Sequence, residues 1–184
     1  MTEPTLGLVC CSAGGLEDVR AELIKPLVTD GWRVAVTVTP TAAEWLRSSG
    51  EFDLIEELTG ISVRDRPKLP TEVSPHPTVD CYAVVPATAN TVAKLALGIA
   101  DNQALTQVCE AIGGGDVPVV VFPRVNAAHA GQPAWTAHIE ALTRAGVHLV
   151  YGHDVWPLHA PRSAPGKILP WDDIRKAISR VVSA

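Results

Sequence analysis

Short apolar runs that alternate with amphipathic stretches constrain the fold of this chain more than any other feature of its sequence. Five runs have the length and apolar content of buried β-strands: residues 6–11, 32–38, 81–85, 117–122 and 147–151. The fourth run is rich in valine and bracketed by prolines, which is typical of a central strand buried on both faces. Strands that alternate with helices predict a three-layer α/β domain with a parallel sheet.

The stretches between the strands carry apolar residues at helical spacing. The first predicted helix covers residues 16–27 and is followed by Gly31 as a stop signal. Segment 62–78 differs because its prolines remove backbone donors, so we expect a long surface loop there. The length predicts one domain, residues 1–184. Further helices are predicted at residues 42–47, from 91 onward, up to 112, 135–142 and 174–182, and a further short element at 52–58.

Charge and composition argue against several classes of protein. A net charge of -5 and the lack of a basic stripe do not suit nucleic-acid binding. No apolar run approaches the length of a membrane span, and the N-terminus lacks the positive region of a signal peptide. We therefore expect a cytoplasmic protein without a membrane partner. The four cysteines show no metal-ligand spacing, so we expect reduced, mostly buried thiols and no metal.

Ligands of open parallel sheets bind at the carboxyl ends of strands, near helix N-termini. Ser12, Ala13 and Gly14 follow the first predicted strand, and such small residues leave backbone amides free to approach a phosphate. An ordinary strand-to-helix turn explains the same residues, and the segment is not a dinucleotide fingerprint. Thr37 and Thr39 lie in segment 37–41 at the end of the second strand, where their hydroxyls suit either a phosphate or the start of a helix.

The segment after the third strand carries the most specific motif. It reads Pro86-Ala87-Thr88-Ala89-Asn90-Thr91 and is followed downstream by Gly98-Ile99-Ala100-Asp101-Asn102. The fourth strand leads into Pro123-Arg124-Val125-Asn126, with Pro133 and Gly146 beyond it. Together these segments resemble the homo-oligomeric flavin-containing cysteine decarboxylases. The similarity is closer to the peptidyl-cysteine decarboxylases than to phosphopantothenoylcysteine decarboxylase.

The resemblance implies a Rossmann- or flavodoxin-like sheet with helices on both faces, and FMN as the cofactor. The cofactor-binding residues that it implies, together with the phosphate candidates above, are Ser12, Ala13, Gly14, Thr37, Thr39, Pro86, Ala87, Thr88, Ala89 and Thr91. Substrate contacts are expected from Asn90, Val125, Asn126 and His129, and catalytic roles from Asn90, His76 and Asn126.

Departures from the family pattern narrow the expected activity. Glu72 stands at the spacing of the family's upstream histidine, so His76, His129 or neither serves as the base; His76 also fits a solvated surface loop. Ala160 stands where phosphopantothenoylcysteine decarboxylases carry a reducing cysteine, with the alignment taken from Lys167 in segment 164–168. This substitution favours release of an enethiol.

The function implied is FMN-dependent oxidative decarboxylation of a cysteine carboxyl to an enethiol. The expected substrate is a Cys-containing peptide or a small thiol-carboxylate, and the family assembles as trimers or dodecamers. One alternative is an FMN-binding protein without decarboxylase activity, either a regulatory subunit or another flavoenzyme. The least favoured alternative is a flavin prenyltransferase. Pro123-Arg124 resembles a Pro-Arg pair of that family. Trp156 is a candidate flavin or substrate contact, and core or interface places are expected for Trp45, Trp135 and Trp171.

Overall fold

The computed structural model of the chain describes residues 3–69, 71–163 and 167–183. Its centre is a sheet of five parallel strands in the order β2-β1-β3-β4-β5, as in flavodoxin-like folds. The strands are β1 (Thr5–Cys10), β2 (Arg33–Val38), β3 (Cys81–Ala87), β4 (Val119–Pro123) and β5 (His148–Leu149). The predicted three-layer α/β class with a parallel sheet is therefore confirmed.

Both faces of the sheet are covered by helices, which explains why every residue of β1 is buried. Leu6, Leu8 and Cys10 of β1 contribute to the core on one face, and Val9 and Cys11 to the core on the other. The helices are α1 (Lys25–Thr29), α2 (Pro40–Ser49), α3 (Glu51–Thr59), α4 (Ala89–Leu97), α5 (Gln103–Gly114), α6 (Ala127–Ala130), α7 (Trp135–Arg144) and α8 (Trp171–Val182).

The first predicted helix is interrupted. It begins as a 3₁₀ turn (Leu16–Asp18), widens into a π-helical turn (Arg20–Ile24) and becomes regular only in α1. Pro26 explains the interruption, because its missing amide hydrogen leaves the carbonyl of Glu22 without the usual helical donor. That carbonyl instead accepts a hydrogen bond from Arg175 of α8. The break in one helix is thus compensated by the last helix of the chain.

The predicted loop 62–78 contains no helix or strand among its described residues, and Pro70 lies outside them. Arg64 runs beside the edge strand β2: its amide donates to Val36 at 2.9 Å, and its carbonyl accepts from Val38 at 2.7 Å. The loop therefore pairs with part of an otherwise open sheet edge. Within the described residues, no helix is long and apolar enough to cross a bilayer.

The last strand is shorter than the apolar run 147–151 predicts. His148 and Leu149 form the strand opposite Val120 and Val121, and the amide of Val150 adds one hydrogen bond to Val121 at 2.9 Å. An edge strand has a neighbour on one side only, so apolar content alone does not determine how far its pairing extends. The cysteines are all free thiols; three of them, Cys10, Cys11 and Cys81, are buried.

Gly7 in the centre of β1 is a position where any side chain collides with the core. A Cβ built there lies 2.4 Å from Cε1 of Tyr82 on the neighbouring strand. We predict that Gly7→Ala lowers the free energy of unfolding by about 1–3 kcal/mol through overpacking. Chemical denaturation with paired wild-type curves measures this change.

Gly113 supplies the matched control for this prediction. It lies in α5 with nothing within 4 Å of a built Cβ. Gly113→Ala should leave stability unchanged or raise it by about 0.5–1 kcal/mol, because alanine has the higher helix propensity. Equal effects of the two substitutions would contradict the assigned packing of Gly7.

Candidate functional site

Backbone hydrogen bonds bring together the segments that follow four neighbouring strands. The amide of Cys11 donates to the carbonyl of Pro86 at 3.1 Å, and that of Arg124 donates to Ala87 at 2.8 Å. On the other side, the amide of Thr39 donates to Cys10 at 3.0 Å. The predicted loops after β1, β2, β3 and β4 therefore form one continuous rim at the carboxyl edge of the sheet.

Hydroxyl groups brace the loop 86–91 from within. The Thr88 hydroxyl accepts from the amide of Thr91 at 3.1 Å and donates to the Thr91 hydroxyl at 3.0 Å. Thr91 in turn donates to Sγ of Cys11 at 3.3 Å. Burial raises the pKa of the Cys11 thiol, so it is held as a neutral acceptor beneath the loop. The hydroxyl protons of Thr88 and Thr91 are thus engaged in hydrogen bonds that hold the loop in place.

Asn90 is the exposed member of this loop. It lies in the first turn of α4, directly after Ala89, whereas the next residues, Thr91 and Val92, are buried. The free amides and the positive end of the helix dipole favour a negatively charged group at this place. Asn90 is therefore placed where its side chain is open to a carboxylate.

The loop after β1 leaves backbone donors unused. No hydrogen bond from the amides of Ser12 or Gly14 is found within the described part of the chain, whereas Gly15 donates to the carboxylate of Glu17 at 2.9 Å. Ala13 closes the turn by donating to Cys11 at 2.8 Å. A Cβ at Gly14 would lie 3.4 Å from Nη2 of Arg124, so the loops after β1 and β4 approach to van der Waals distance here.

Thr37, near the end of β2, and Thr39, directly after β2, differ in how far they are exposed. Thr37 is completely buried, and its hydroxyl has no partner among the described residues. Thr39 is half-buried and occupies the N-cap position of α2, yet its hydroxyl makes no capping hydrogen bond. Thr88, Asn102 and Asn126 all cap their helices with side-chain oxygens. The hydroxyl of Thr39 therefore remains available at a helix N-terminus, and that of Thr37 lies covered.

The two polar groups of the Asn126 side chain have different roles: one caps a helix, and the other remains a free donor. Its Oδ1 accepts from the amide of His129 at 3.0 Å and so begins α6, which leaves the Nδ2 hydrogens as donors. Val125 is buried, and its carbonyl accepts from the indole of Trp156 at 3.2 Å. The side chain of His129 is exposed. Asn126 is thus the residue of this loop best placed to donate to a ligand.

His76 lies apart from the rim within the protomer. Its Nε2 donates to the carbonyl of Ser62 at 2.8 Å, and it lines a cavity with Gly7 and Tyr82, which belong to the early parts of β1 and β3. Burial lowers the pKa of its imidazole. Glu72 holds the same loop together by accepting from the amide of Leu69 at 2.8 Å. The structure does not bring His76 to Asn90 or Asn126 in a single copy of the chain.

A cavity of about 420 Å³ opens beside Asn126. Trp156, the tryptophan predicted to contact a ligand, is 2% exposed and forms its wall. Of the polar residues that accompany it, sequence reasoning named only Asn126 as a site residue, because the others come from distant parts of the chain and share no pattern. The described lining residues are Arg124, Val125, Asn126, Trp156, His159, Ala160, Arg162 and Lys167. Ala164, Pro165 and Gly166 of the late family segment lie outside the described residues.

The other tryptophans divide between core and surface. Trp135 and Trp171 are each 5% exposed, as expected for core residues, and the indole of Trp135 donates to the Tyr151 hydroxyl at 3.1 Å. Trp45 is 49% exposed and is not a core residue of the protomer. Among the described residues, no group of His, Cys, Asp and Glu side chains is arranged to hold a metal ion.

Comparison with known proteins now gives this fold and site a family. A family model described as Flavoprotein matches residues 4–183, and the chain therefore belongs to the Flavoprotein family. A cysteine/cysteine sulfinic acid decarboxylase from an unknown prokaryotic organism is 37% identical over 71 residues, 39% of this chain and 19% of that protein. The coenzyme A biosynthesis bifunctional protein CoaBC of Bacillus subtilis is 29% identical over 143 residues, 76% of this chain and 34% of that protein.

The chain thus spans 19% and 34% of the lengths of these two curated relatives. Among solved structures, the FMN-dependent cysteine decarboxylase SpaF has a TM-score of 0.71 at 23% identity, with 98% of this chain and 95% of that chain covered. The FMN-dependent cysteine decarboxylase TvaF from thioviridamide biosynthesis has a TM-score of 0.70 at 22% identity, with both chains fully covered. These structures confirm the fold.

The residues of the rim fit a flavin mononucleotide phosphate. Free amides at Ser12 and Gly14 and the uncapped Thr39 hydroxyl are neutral donors next to helical N-termini, which is the chemistry that phosphate groups require. Asn90 adds an exposed amide at the next loop. The buried hydroxyl of Thr37 is not accessible to such a ligand in this arrangement.

Thr91 is predicted to hold the loop 86–91 in its ligand-ready shape. Thr91→Val removes the donor to Cys11 and the acceptor for Thr88, while Thr91→Ser keeps both. We expect Thr91→Val to lower the free energy of unfolding by about 1–3 kcal/mol and to weaken flavin binding. Denaturation curves and flavin fluorescence titration measure the two effects. Equal behaviour of the valine and serine variants would show that these hydrogen bonds do not support the loop.

Proposed function

We propose that the chain is an FMN-dependent decarboxylase that acts on the carboxyl group of a cysteine, with a peptide C-terminal cysteine as substrate and an enethiol as product. One observation carries the proposal. Asn90 and Asn126 present side-chain amides at the N-termini of two helices, on loops joined by the hydrogen bond from Arg124 to Ala87. Membership of the Flavoprotein family and the described activities of SpaF and TvaF support the same reaction.

The cofactor proposal assigns the phosphate to the donors that follow β1 and β2. Ser12, Gly14 and Thr39 would bind it, and the loop 86–91, braced by Cys11, would support the ring system. When bound, FMN supplies the two-electron oxidation that prepares the cysteine for loss of CO2. The role of the chain is to position the substrate and to exclude competing orientations.

The substrate carboxylate is proposed to lie between Asn90 and Asn126. Both side chains donate neutral N–H groups, so they orient the carboxylate without the strong ground-state stabilisation that a close cation would give. This property suits a decarboxylation, in which the carboxylate charge is lost from the reacting group as CO2 leaves. Val125, buried beneath Asn126, and His129, exposed beside it, stay predicted substrate contacts.

For the group that carries the proton, the sequence prediction kept three alternatives: His76, His129 or neither. His159 lines the same cavity as Asn126, and its carbonyl is fixed by the amide of Ala127 at 2.8 Å. We therefore add His159 to the candidates for proton transfer near neutral pH. The distance of His76 from the rim in one protomer also favours a second candidate function, an FMN-binding protein without decarboxylase activity.

Ala160 supports the peptide-type reaction rather than phosphopantetheine synthesis. It lines the cavity in the part of the late loop where a reducing cysteine was expected, and a methyl group cannot reduce an enethiol. We further propose a cytoplasmic homo-oligomer, a trimer or a dodecamer, without nucleic-acid or membrane partners. Three exposed apolar side chains support self-assembly: Trp45 in α2, Leu97 at the end of α4 and Ile99 just beyond it.

Incubation of the FMN-loaded protein with peptides that end in cysteine tests the reaction. The expected product has lost CO2 and two hydrogens, detected by mass spectrometry, and the flavin absorbance bleaches under anaerobic conditions. The same peptides ending in serine are the control and should remain unchanged. A protein that binds FMN but alters none of a varied set of Cys-terminal peptides would support the non-catalytic alternative.

Asn126→Asp separates the structural role of Asn126 from its ligand role. Aspartate still accepts the amide of His129 and caps α6, but it replaces the Nδ2 donor by a negative charge. We predict a loss of about 10- to 100-fold in kcat/KM for a Cys-terminal peptide, from one missing hydrogen bond to a charged group, with unchanged stability. Steady-state kinetics and thermal unfolding measure both. Unchanged kcat/KM would remove Asn126 from the substrate site.

A further inference from the structure

Two cations in the cavity share a single aromatic ring. The guanidinium carbon of Arg124 lies 4.6 Å from the ring centroid of Trp156, and Nζ of Lys167 lies 3.6 Å from it. The ring itself is held by its hydrogen bond to Val125 and by an edge contact with Phe122 at 5.7 Å between centroids. A fixed ring therefore keeps both positive charges beside the cavity, despite their mutual repulsion.

These cations have no acidic partner in the described lining of the cavity, and among the described residues Nζ of Lys167 donates only to the carbonyl of Pro157, at 2.8 Å. The described lining of the cavity also contains Arg162 and no acidic residue, in a chain whose net charge is -5. Nε of Arg124 is buried without a hydrogen-bond partner among the described residues. Burial lowers the pKa of Arg124, offset only in part by Glu17, and burial together with the charge of Arg124 lowers the pKa of Lys167. An anion in the cavity would relieve all these costs.

The position of the cavity favours substrate over cofactor. The sheet order is β2-β1-β3-β4-β5, so the phosphate donors Ser12, Gly14 and Thr39 follow β1 and β2, whereas the cavity follows β4. Asn126, the proposed substrate contact, is part of the cavity wall. Arg124 nevertheless reaches Gly14, so the cofactor phosphate is the other anion to be distinguished.

The departing carboxylate is a poor partner for such a cation pair. Its charge leaves the reacting group during decarboxylation, and strong binding of that charge in the ground state would raise the barrier. A group that keeps its charge throughout the reaction binds equally before and after the chemical step. The cation pair therefore suits a second acidic group, separate from the carboxyl that is lost.

We propose that Arg124 and Lys167, held on Trp156 and assisted by Arg162, form an oxyanion-binding subsite for a second acidic group of the substrate, a carboxylate or a phosphate carried next to the reacting cysteine. The identity of the reacting group rests on the proposed function, but the subsite itself rests on the cavity. The substrate class is thereby narrowed to cysteine-terminated molecules with an acidic neighbour.

Binding measurements test the subsite independently of turnover. The FMN-loaded protein is titrated calorimetrically with peptides of identical sequence that end in Glu-Cys, phosphoserine-Cys or Gln-Cys. We expect one of the two acidic peptides to bind at least about tenfold more tightly than the Gln-Cys peptide. A preference for glutamate identifies a carboxylate subsite, and a preference for phosphoserine identifies a phosphate subsite. No preference for either acidic peptide would overturn the proposal.

Charge-neutral variants assign the preference to the cation pair. Arg124→Gln should abolish it, and Lys167→Gln serves as a second variant if the first fails to fold. Arg144→Gln is the matched control, because Arg144 is exposed in the last turn of α7. A preference that survives both cavity variants would overturn the proposal. So would a loss of FMN affinity in Arg124→Gln without a matching loss for riboflavin, since that result assigns the cation to the cofactor phosphate.

Product analysis of the same mixtures separates this proposal from the proposed function. Selective binding of an acidic peptide that is never decarboxylated would support the subsite and contradict the decarboxylase. Decarboxylation of all three peptides with equal affinity would support the decarboxylase and contradict the subsite.

Discussion

The hydrogen bonds between neighbouring strand ends are the constraint on which the rest of the site depends. Cys11 binds Pro86, and Arg124 binds Ala87, so the loops that follow β1, β3 and β4 are joined before any side chain is considered. These bonds extend the parallel ladder by one step beyond the strands. The sheet, whose central strands are buried on both faces, therefore fixes the positions of the side chains on the rim.

The fold was largely predictable because its signals are local. Apolar runs mark the strands, and prolines mark the loop 62–78. The two features that the sequence did not predict, the interrupted first helix and the short last strand, have causes that a local sequence pattern does not reveal. The π-helical turn depends on a proline and on a distant arginine that binds the freed carbonyl of Glu22, and the short pairing of β5 is not marked in its apolar pattern.

The site was predictable only where a contiguous motif carries it. Loop 86–91 and Asn126 were predicted by resemblance, and the hydrogen bond from Arg124 to Ala87 connects the two segments that contain them. The stacking of Arg124 and Lys167 on Trp156 involves three separate segments, none of which has a pattern that predicts the contact. The roles of Thr88 and Thr91 also required structure, because a hydroxyl that binds a ligand and one that braces a loop look the same in a sequence.

The hydroxyl chain from Thr88 through Thr91 to Cys11 has a consequence for recognition itself. A loop whose two hydroxyl donors are already satisfied, by Thr91 and by Cys11, occupies few alternative conformations, so little conformational entropy remains to be lost when a ligand arrives. Affinity at such a loop is gained by avoiding the cost of ordering rather than by adding contacts. The rim is therefore preorganised for its ligand. Selectivity between ligands depends on the groups around the rim that remain unpaired.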